Sequence, residues 1–579
     1  MAKSVTIALF RNDLRVHDNP IIFHAHSSSQ KGVDKTRVQR PSDYYLPIYV
    51  FDERMVELSG LPGYQREGSE ARTGVCGFWR TGCHRLKFLC ESVYELQHQL
   101  KQRGSDLVIR FGSIEKVTLS IIQALQDTDV KVDQILINKE YASEEIETEV
   151  KIDEALKSFK ISVPLLFFHT RSLVHPEDLP FLPSKTPDVY TPFRKHIESL
   201  PEQKLCRPLL PCPDRLIGMP PLKEIAPQRG NSGSSYDTMK MDNILESLMK
   251  PLLQCPDLAC PAFPKLSSYN FDDRSAFPYK GGESEGLRRI NDYFYTGNPA
   301  PVRSYKDTRN GLLGQSYSTK FSPFLAHGCL SPRKIILELR EHEKKFGANK
   351  DTYWVLFELL WRDYFVFITQ KYGTALFKLG GFEGVLNPKA ASQKIHQWKP
   401  FQNLKMNQNQ QGSRAINQAA SRWLKAETGI PFLDANMAEL RLTGFMSNRG
   451  RQNVASFLTK DLYVDWRIGA EFFESQLLDY DPSSNYGNWQ YVAGVGNDPR
   501  ASRQFNPIKQ AKDYDAKGEY VRCWLPELAK VPQKSIHNPW LLTSKQWEES
   551  VGENQRRPEG YPHRPMLEQQ AWKKHYQRP

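Results

Sequence analysis

The first 170 residues alternate between short apolar runs and longer stretches with helical periodicity. The apolar runs have the length of buried strands: VTIALF, LPIYVF, DLVIRF, QILIN and VPLLFF. Between them, residues 83–103 and 114–126 place apolar side chains every three to four positions, as amphipathic helices do. This alternation predicts an α/β domain over residues 1–200 with a doubly wound parallel sheet, a Rossmann-like fold. No GxGxxG or GxxxxGK[ST] follows a strand, so no dinucleotide fingerprint is present.

The pattern changes twice further along the chain. Residues 201–282 are rich in proline and contain GNSGSS, which predicts an interdomain linker with little structure of its own. Helical periodicity then predicts an all-α domain over residues 283–545, with helices at 284–295, 332–346, 353–371, 417–427, 433–443, 454–461 and 470–478. Residues 546–579 are polar and basic, which predicts a flexible tail.

Composition adds a preference for an anionic partner. The 579 residues carry a formal net charge of +12, which favours nucleic acid, although a solvated basic surface is the alternative. The chain opens on an apolar run without a targeting pattern and has no apolar stretch of transmembrane length. We therefore expect a soluble intracellular protein, in the cytoplasm or the nucleus, and a monomer.

The cysteines indicate no metal. Nine cysteines without a CxxC pair fit a reducing compartment. Three of them recur every seven residues and predict one face of a helix: Cys76, Cys83 and Cys90. Four others bracket the proline-rich segment with irregular spacing: Cys206, Cys212, Cys255 and Cys260. Such spacing is a weak signal for a metal or an iron–sulfur cluster, and none is predicted.

Two short motifs have competing interpretations. GGESEG contains G-x-S-x-G, but no strand precedes it, so we interpret Gly282 and Glu283 as the start of a helix and not as a hydrolase elbow. SYSTKFSP holds four hydroxyls before a helix, Ser316, Ser318, Thr319 and Ser322. They fit an anion nest for a diphosphate, but on this segment alone plain N-caps are the better interpretation.

Polar residues are concentrated in two segments of the apolar helical domain. SNRGRQN supplies many hydrogen-bond donors at the entrance of a helix that otherwise reads as packing from Val454 to Trp466. DYDPSSNYGNWQY supplies Asp479, Asp481 and Asn485, and its spacing does not fit a calcium loop. Buried polar groups of this kind need partners, such as ribose hydroxyls, ring N–H groups or an arginine.

Taken together, these segments resemble the photolyase/cryptochrome flavoprotein family. The resemblance rests on FRNDLRVHDNP, GGESEGLRRINDYF, TKFSPFLAHGCLSPR, FELLWRDYF and the stretch from TGIPFLD to LYVDWR, and it covers about residues 4–540. It implies FAD in the helical domain, with light-excited reduced FAD donating an electron to a cyclobutane pyrimidine dimer flipped out of DNA.

The resemblance also implies residue roles. The cofactor would contact Tyr305, Ser318, Thr319, Lys320, Ser322, Arg451, Asp479, Asp481 and Asn485, with Asn485 facing the flavin N5. An amide there cannot act as an acid. Electrons would pass along Trp489, Trp466 and Trp423. The lesion would meet Glu358, Trp361, Asn448, Gln452 and Tyr491, and the DNA would meet Arg362 and Arg449.

Departures at two positions indicate the DASH-type cryptochromes. Gln452 and Tyr491 stand where duplex-repair enzymes typically carry Met and Trp, so single-stranded or looped DNA is the expected substrate. RNA and undamaged DNA are further candidate partners. Six-four repair needs histidines where Asn448 and Gln452 stand. Glu140 matches an acidic residue of the antenna site, which in this group implies 5,10-methenyltetrahydrofolate, although a helix-start glutamate is the simpler alternative. A signalling photoreceptor with little repair activity and a duplex photolyase remain the competing functions.

Overall fold

The sequence folds into an α/β domain followed by helices. The computed structural model describes residues 3–27, 41–128, 130–221, 239–254, 272–399, 414–498, 500, 503–551 and 560–576. The first domain comprises β1 (Lys3–Phe10), α1 (Pro20–His26), β2 (Tyr44–Asp52), α2 (Cys83–Gln102), β3 (Val108–Gly112), α3 (Ile114–Gln126), β4 (Val130–Asn138), α4 (Ser143–Ser158) and β5 (Leu165–Phe168). The strands lie in the order β3-β2-β1-β4-β5 and are all parallel, which confirms the predicted doubly wound sheet.

The sheet has two buried faces because successive side chains of a strand point in opposite directions. Along β1, Ile7 and Leu9 pack into a core beneath α3 and α4, whereas Ala8 and Phe10 join a core on the other face. That second core continues into the helical region. The sheet therefore supports the helical domain directly.

The remaining elements are helical, and the described strands all lie in the first domain. They are α5 (Tyr190–Glu198), α6 (Glu202–Leu205), α7 (Met241–Gln254), α8 (Glu283–Tyr295), α9 (Tyr305–Thr308), α10 (Ser322–Ala326), α11 (Pro332–Phe346), α12 (Lys350–Tyr372), α13 (Glu383–Leu386), α14 (Pro388–Ile395), α15 (Arg414–Leu424), α16 (Pro431–Thr443), α17 (Asn448–Ser456), a π-helical turn (Phe457–Asp461), α18 (Trp466–Gln476), α19 (Pro482–Ala493), α20 (Pro507–Tyr514), α21 (Glu519–Trp524), α22 (Ser544–Val551) and α23 (Gln570–Lys573). The all-α prediction is confirmed for this part of the chain.

Four expectations are corrected. The predicted linker contains α7, whose Ile244 and Leu248 are buried against α2, because its apolar residues recur at helical spacing between the prolines. The predicted tail contains Trp572, which is 2% exposed and joins the main core. Helix α2 begins at Cys83, so Cys76 does not share its face. Helix α17 begins at Asn448, six residues before the packing segment that the sequence indicated.

Among the described residues we find neither a membrane-spanning helix nor a group of metal ligands. No helix in these ranges is long and apolar enough to cross a membrane. Within the same ranges, no three Cys, His, Asp or Glu side chains are grouped as metal ligands would be, while Cys255 and Cys260 lie outside them.

Candidate functional site

A cavity of about 330 Å³ lies within the helical domain, between α10, α12, α17 and α19. We call it the helical-domain cavity. Most of the residues predicted to contact the cofactor or the lesion line it: Tyr305, Ser318, Thr319, Lys320, Ser322, Glu358, Asn448, Arg451, Gln452, Asp479, Asp481 and Asn485. Arg362, predicted to bind DNA, and Trp489, predicted to relay electrons, line it as well. These residues come from segments up to about 180 residues apart. One cavity thus collects the polar clusters that looked out of place in an apolar domain.

The hydroxyl loop is held from behind by Arg289, a residue that sequence reasoning missed. Arg289 on α8 donates hydrogen bonds to the carbonyl oxygens of Thr319 (Nε, 2.9 Å), Gln315 (Nη2, 2.9 Å) and Ser318 (Nη2, 3.0 Å). With these carbonyls turned towards α8, Ser318 and Thr319 remain at the cavity wall. No local pattern could have assigned this role, because the partners are about 30 residues away.

Lys320 presents a buried cation to the same cavity. It is 3% exposed, and its Nζ has no hydrogen-bond partner. The ammonium lies 3.3 Å from the ring centroid of Tyr317 and 4.5 Å from that of Phe445. Burial lowers the pKa of Lys320 well below its ordinary value, and nearby Glu439 partly opposes this shift. An unpartnered ammonium at a cavity wall fits an anionic group such as a diphosphate.

Arg451 and Asp479 form an ion pair in the cavity wall. Arg451 Nη2 lies 3.0 and 2.8 Å from the two carboxylate oxygens of Asp479, and Arg451 Nε donates to the carbonyl of Met446 at 3.0 Å. Two residues that were expected to contact the cofactor thus pair with each other. Asn485 lies on α19 and donates from Nδ2 to the carbonyl of Ala470 at 2.9 Å, which leaves its buried Oδ1 without a partner.

Asp481 is engaged within the protein as well as lining the cavity. Its Oδ1 accepts from the backbone N–H of Ser484 at 2.8 Å and caps α19, while its other oxygen pairs closely with Arg171. Arg171 Nε lies 3.5 Å from Glu140 Oε2 and its Nη1 donates to the carbonyl of Ala326 at 2.8 Å. Arg171 therefore joins Asp481 of the helical domain to Glu140 of the α/β domain.

Glu140 lines a second cavity of about 400 Å³, which we call the interdomain cavity. Asn12 donates from Nδ2 to Glu140 Oε1 at 3.0 Å. Both cavities include Ala326 in their walls, so Arg171 lies in the partition between them. The predicted antenna residue is thus separated from the cofactor cluster and has a cavity of its own.

On the lesion side, two arginines hold the predicted catalytic side chains. Arg309 forms a close ion pair with Glu358, and burial raises the pKa of Glu358 while Arg309 opposes the shift. Arg449 donates to Gln452 Oε1 at 2.8 Å and to Asn310 Oδ1 at 2.9 Å. The consecutive residues Arg309 and Asn310 therefore contact α12 and α17 respectively, and the sequence had singled out neither.

Trp361 and Tyr491 are not among the residues that line the helical-domain cavity in the described part of the chain. Their rings meet edge to face at 6.0 Å. One face of Trp361 is covered by Tyr190, whose ring is nearly parallel to it at a centroid distance of 3.6 Å. Arg362 donates to the carbonyls of Arg171 and Leu325. This placement favours a role for Arg362 in the cavity wall over the predicted contact with DNA.

The predicted electron relay is brought together only in part. Trp489 lines the cavity, and its ring meets Trp423 edge to face at 6.2 Å. Trp466 instead packs against Tyr486 at 6.2 Å and donates to the carbonyl of Leu379. Trp398, which no sequence pattern had singled out, donates to the carbonyl of Thr459. The next residue, Lys399, forms an isolated parallel β-bridge with Val464.

Comparisons with known proteins agree with this arrangement. Residues 354–578 match the family described as the FAD binding domain of DNA photolyase, and residues 6–214 match the family described as DNA photolyase. The protein named cryptochrome DASH of Xenopus laevis is 41% identical over 575 residues, which cover 99% of this chain and 91% of that protein. The chain belongs to the photolyase/cryptochrome family. Its similarity to proteins named cryptochrome DASH identifies it as a DASH-type member.

Two further relatives extend this result. The cryptochrome DASH of Danio rerio is 40% identical, covering 94% of this chain and 87% of that protein. The crystal structure of a Synechocystis cryptochrome superposes with a TM-score of 0.75 at 35% identity and covers 99% of both chains. A class III photolyase from Agrobacterium tumefaciens shares the fold, with a TM-score of 0.70 at 24% identity.

FAD fits the helical-domain cavity on the chemistry of its walls. Lys320 Nζ and Asn485 Oδ1 are buried polar atoms without partners, one a donor and the other an acceptor. A diphosphate would satisfy the first, and a flavin ring N–H would satisfy the second. Lys320 and Asn485 are thus the residues of the expected cofactor set whose unsatisfied atoms fit FAD.

Proposed function

We propose that this chain is a light-driven lyase that splits cyclobutane pyrimidine dimers, with single-stranded or looped DNA as its main substrate. One observation carries the proposal: Glu358, Asn448 and Gln452 line the same cavity as the cofactor set. Bound, reduced FAD would supply the photoexcited electron that splits the dimer and would receive it back.

The chain's own residues would prepare both partners. Arg451, paired with Asp479, places positive charge beside the ring and favours its reduced, anionic form. Asn485, whose orientation is fixed by Ala470, offers an oxygen and no proton at the ring edge. Burial raises the pKa of Glu358, and in its protonated form this residue would donate a hydrogen bond to the dimer and stabilise the negative charge that develops on it.

The substrate preference follows from the polarity of the lesion side. Gln452 is fixed by Arg449, and Asn448 is exposed at the start of α17. Such a wall offers hydrogen bonds and little apolar stacking area. Flipping a dimer out of a duplex costs roughly a few kcal/mol of unstacking, and a polar wall would offset little of it. In a single strand this cost is smaller, so the dimer would enter the cavity more readily.

The test is illumination of the purified, reduced holoprotein with dimer-containing oligonucleotides in single-stranded, bubble and duplex forms. We expect dimer loss in the first two to exceed that in the duplex. Glu358→Gln should lower the yield per photon several-fold, whereas Glu341→Gln, on the exposed face of α11, should not. No dimer loss on any substrate would reject the lyase and favour the photoreceptor.

The interdomain cavity supports a second assignment, an antenna site for 5,10-methenyltetrahydrofolate. Glu140 is 4% exposed and can accept N–H groups of a pterin, while Asn12 fixes its other oxygen. Reconstitution with the folate should add a near-ultraviolet absorption band, and Glu140→Gln should weaken its binding. Retention of wild-type folate affinity in this variant would reject Glu140 as the pterin acceptor.

A further inference from the structure

The C-terminal segment forms a basic surface with α20. Lys573 and Lys574 are exposed at the end of α23, beside half-buried Lys512 and His575. Partial burial lowers the pKa of His575, and Lys574, Lys512 and Lys509 lower it further, so these cations lie close to the imidazole. We call Lys512, Lys573, Lys574 and His575 the C-terminal basic surface. Lys509 is excluded because it pairs with Asp513 at 2.6 Å.

This surface is fixed in place by buried contacts. Trp572 is 2% exposed and packs on Phe457 at a centroid distance of 6.2 Å. Gln569 and Gln504 both donate to Asp461 Oδ1, and Asn506 donates to the carbonyl of Ala571 at 3.4 Å. A chain segment anchored by a tryptophan presents its lysines at defined positions, unlike a solvated tail.

The surface continues from the rim of the helical-domain cavity. Gln452, in the cavity wall, is held by Arg449, whose guanidinium lies 4.6 Å from the ring centroid of Tyr514 at the end of α20. Asn453 of α17 reaches Gln510 of α20 at 3.4 Å. From there α20 packs on α23, which ends in the lysines. A line of cations and a tyrosine thus leads away from the cavity.

The chemistry of this line selects its partner. Lys512, Lys573 and Lys574 form no ion pair with a described acidic residue, so their charges are available to an anionic partner. The large apolar side chains found exposed in the described ranges lie elsewhere, such as Leu182 and Val385, so the surface offers no apolar anchor for a membrane. Unpaired cations that lead from the cavity rim suit the phosphate backbone of a single-stranded nucleic acid, and Tyr514 adds one aromatic ring beside them.

We infer that the C-terminal basic surface binds the phosphate backbone of single-stranded nucleic acid that flanks the helical-domain cavity. That the bound strand leads a lesion into the cavity rests on the proposed function. The affinity of this surface for an undamaged single strand does not. The segment that sequence composition assigned to a flexible tail is then a binding element of the folded protein.

The test compares two matched lysine pairs. Lys573→Gln with Lys574→Gln removes two cations of the surface, and Lys344→Gln with Lys345→Gln removes two exposed cations from the last turn of α11. Binding of undamaged oligothymidylate to the holoprotein is measured by fluorescence anisotropy between about 50 and 200 mM salt. Each lost phosphate contact should lower the slope of log affinity against log salt by about 0.7, or about 1.4 for the pair.

The outcomes distinguish binding of a single strand by the C-terminal basic surface from dimer repair in the cavity. We expect the Lys573/Lys574 variant to lose affinity and slope while it keeps the thermal midpoint and the repair yield on a short, bound dimer oligonucleotide. Equal slopes for both lysine pairs, or an unchanged slope, would overturn the inference. So would salt-dependent binding to anionic vesicles that depends on Lys573 and Lys574 while oligothymidylate binding does not. If no dimer is repaired, oligothymidylate binding still decides the inference.

Discussion

At the scale of single residues, some side chains of the helical-domain cavity have a buried polar atom without a hydrogen-bond partner. Lys320 and Asn485 each leave a buried polar atom unsatisfied, which costs free energy in the protein without cofactor. Glu358 and Gln452, in contrast, are held by Arg309 and Arg449. The cofactor side is therefore prepared to receive a ligand, whereas the lesion side is already oriented.

Lys320→Met should raise the thermal stability of the protein without FAD and lower its affinity for FAD. Without FAD, the variant should melt at a higher temperature, because a buried, unpartnered ammonium is removed. FAD affinity should fall at least about tenfold, the value of one charge-assisted hydrogen bond. Thermal melts of the apoprotein and titration with FAD measure both effects, and Lys344→Met on α11 is the exposed control.

The same lysine predicts a pH dependence. Its pKa is lowered in the folded protein, so the unfolded chain binds this proton more tightly. Stability of the apoprotein should therefore rise with pH up to the ordinary lysine pKa, about 10.4, and Lys320→Met should remove this rise. Denaturant unfolding across this range measures it, and a variant with the wild-type pH profile would contradict the buried, unpartnered ammonium.

Substrate preference should respond to the two positions that depart from duplex-repair enzymes. Gln452→Met combined with Tyr491→Trp should raise the ratio of duplex to single-strand repair. Methionine at position 452 removes the amide oxygen that accepts the hydrogen bond from Arg449. Tryptophan at position 491 adds stacking area beside Trp361. Tyr491→Phe keeps the ring size and is the control. An unchanged ratio in the double variant would show that these residues do not set the preference.

At the scale of elements, helix α17 carries the division between cofactor and lesion. Its first turn contains Asn448, Arg449, Arg451 and Gln452, and Ser447 caps it by accepting from the N–H of Gly450 at 3.0 Å. The glycine lets α17 approach α16. A Cβ at this position would lie 1.9 Å from Asn436 Oδ1. The close approach needed here is therefore to a neighbouring helix.

Gly450→Ala should consequently separate α17 from α16. We expect a loss of about 1–3 kcal/mol of stability, as in other overpacked sites, together with weaker FAD binding because Arg451 moves. Gly384→Ala is the matched control, since no atom lies within 4 Å of a Cβ built there. Equal thermal midpoints for the two variants would contradict the tight contact with Asn436.

Elements were predictable from sequence where periodicity was strong. The five strands and the long helices predicted between residues 284 and 478, such as α8, α11, α12, α16 and α18, follow from apolar spacing, because burial imposes a period of two or 3.6. Helix α19 was not predicted, because polar residues such as Asn485 face the cavity and interrupt that spacing. The start of α17 was misplaced because its polar side chains face a cavity and break that period. Helix α7 was obscured by the surrounding prolines and by Pro251 within the helix. Arg171, Arg289 and Arg309 act on partners far along the chain, and no local pattern contains such information.

At the scale of the whole molecule, the two domains share a core and a buried charge network. Arg171 lies at 4% exposure between Glu140 of the α/β domain and Asp481 of the helical domain. Asp363 on α12 accepts the backbone N–H groups of Leu173 and Val174, both at 2.9 Å. The segment after β5 thus fixes the relative position of the two cavities.

Arg171→Met tests this network, because it leaves two buried carboxylates without their common cation. Breaking a buried pair in this way costs about 3–5 kcal/mol. Denaturant unfolding measures the cost. Arg288→Met, which breaks an exposed pair with Glu285, should change stability by less than about 1 kcal/mol. Were Arg171→Met equally mild, Arg171 would be a packing residue and the two cavities would not share a charge.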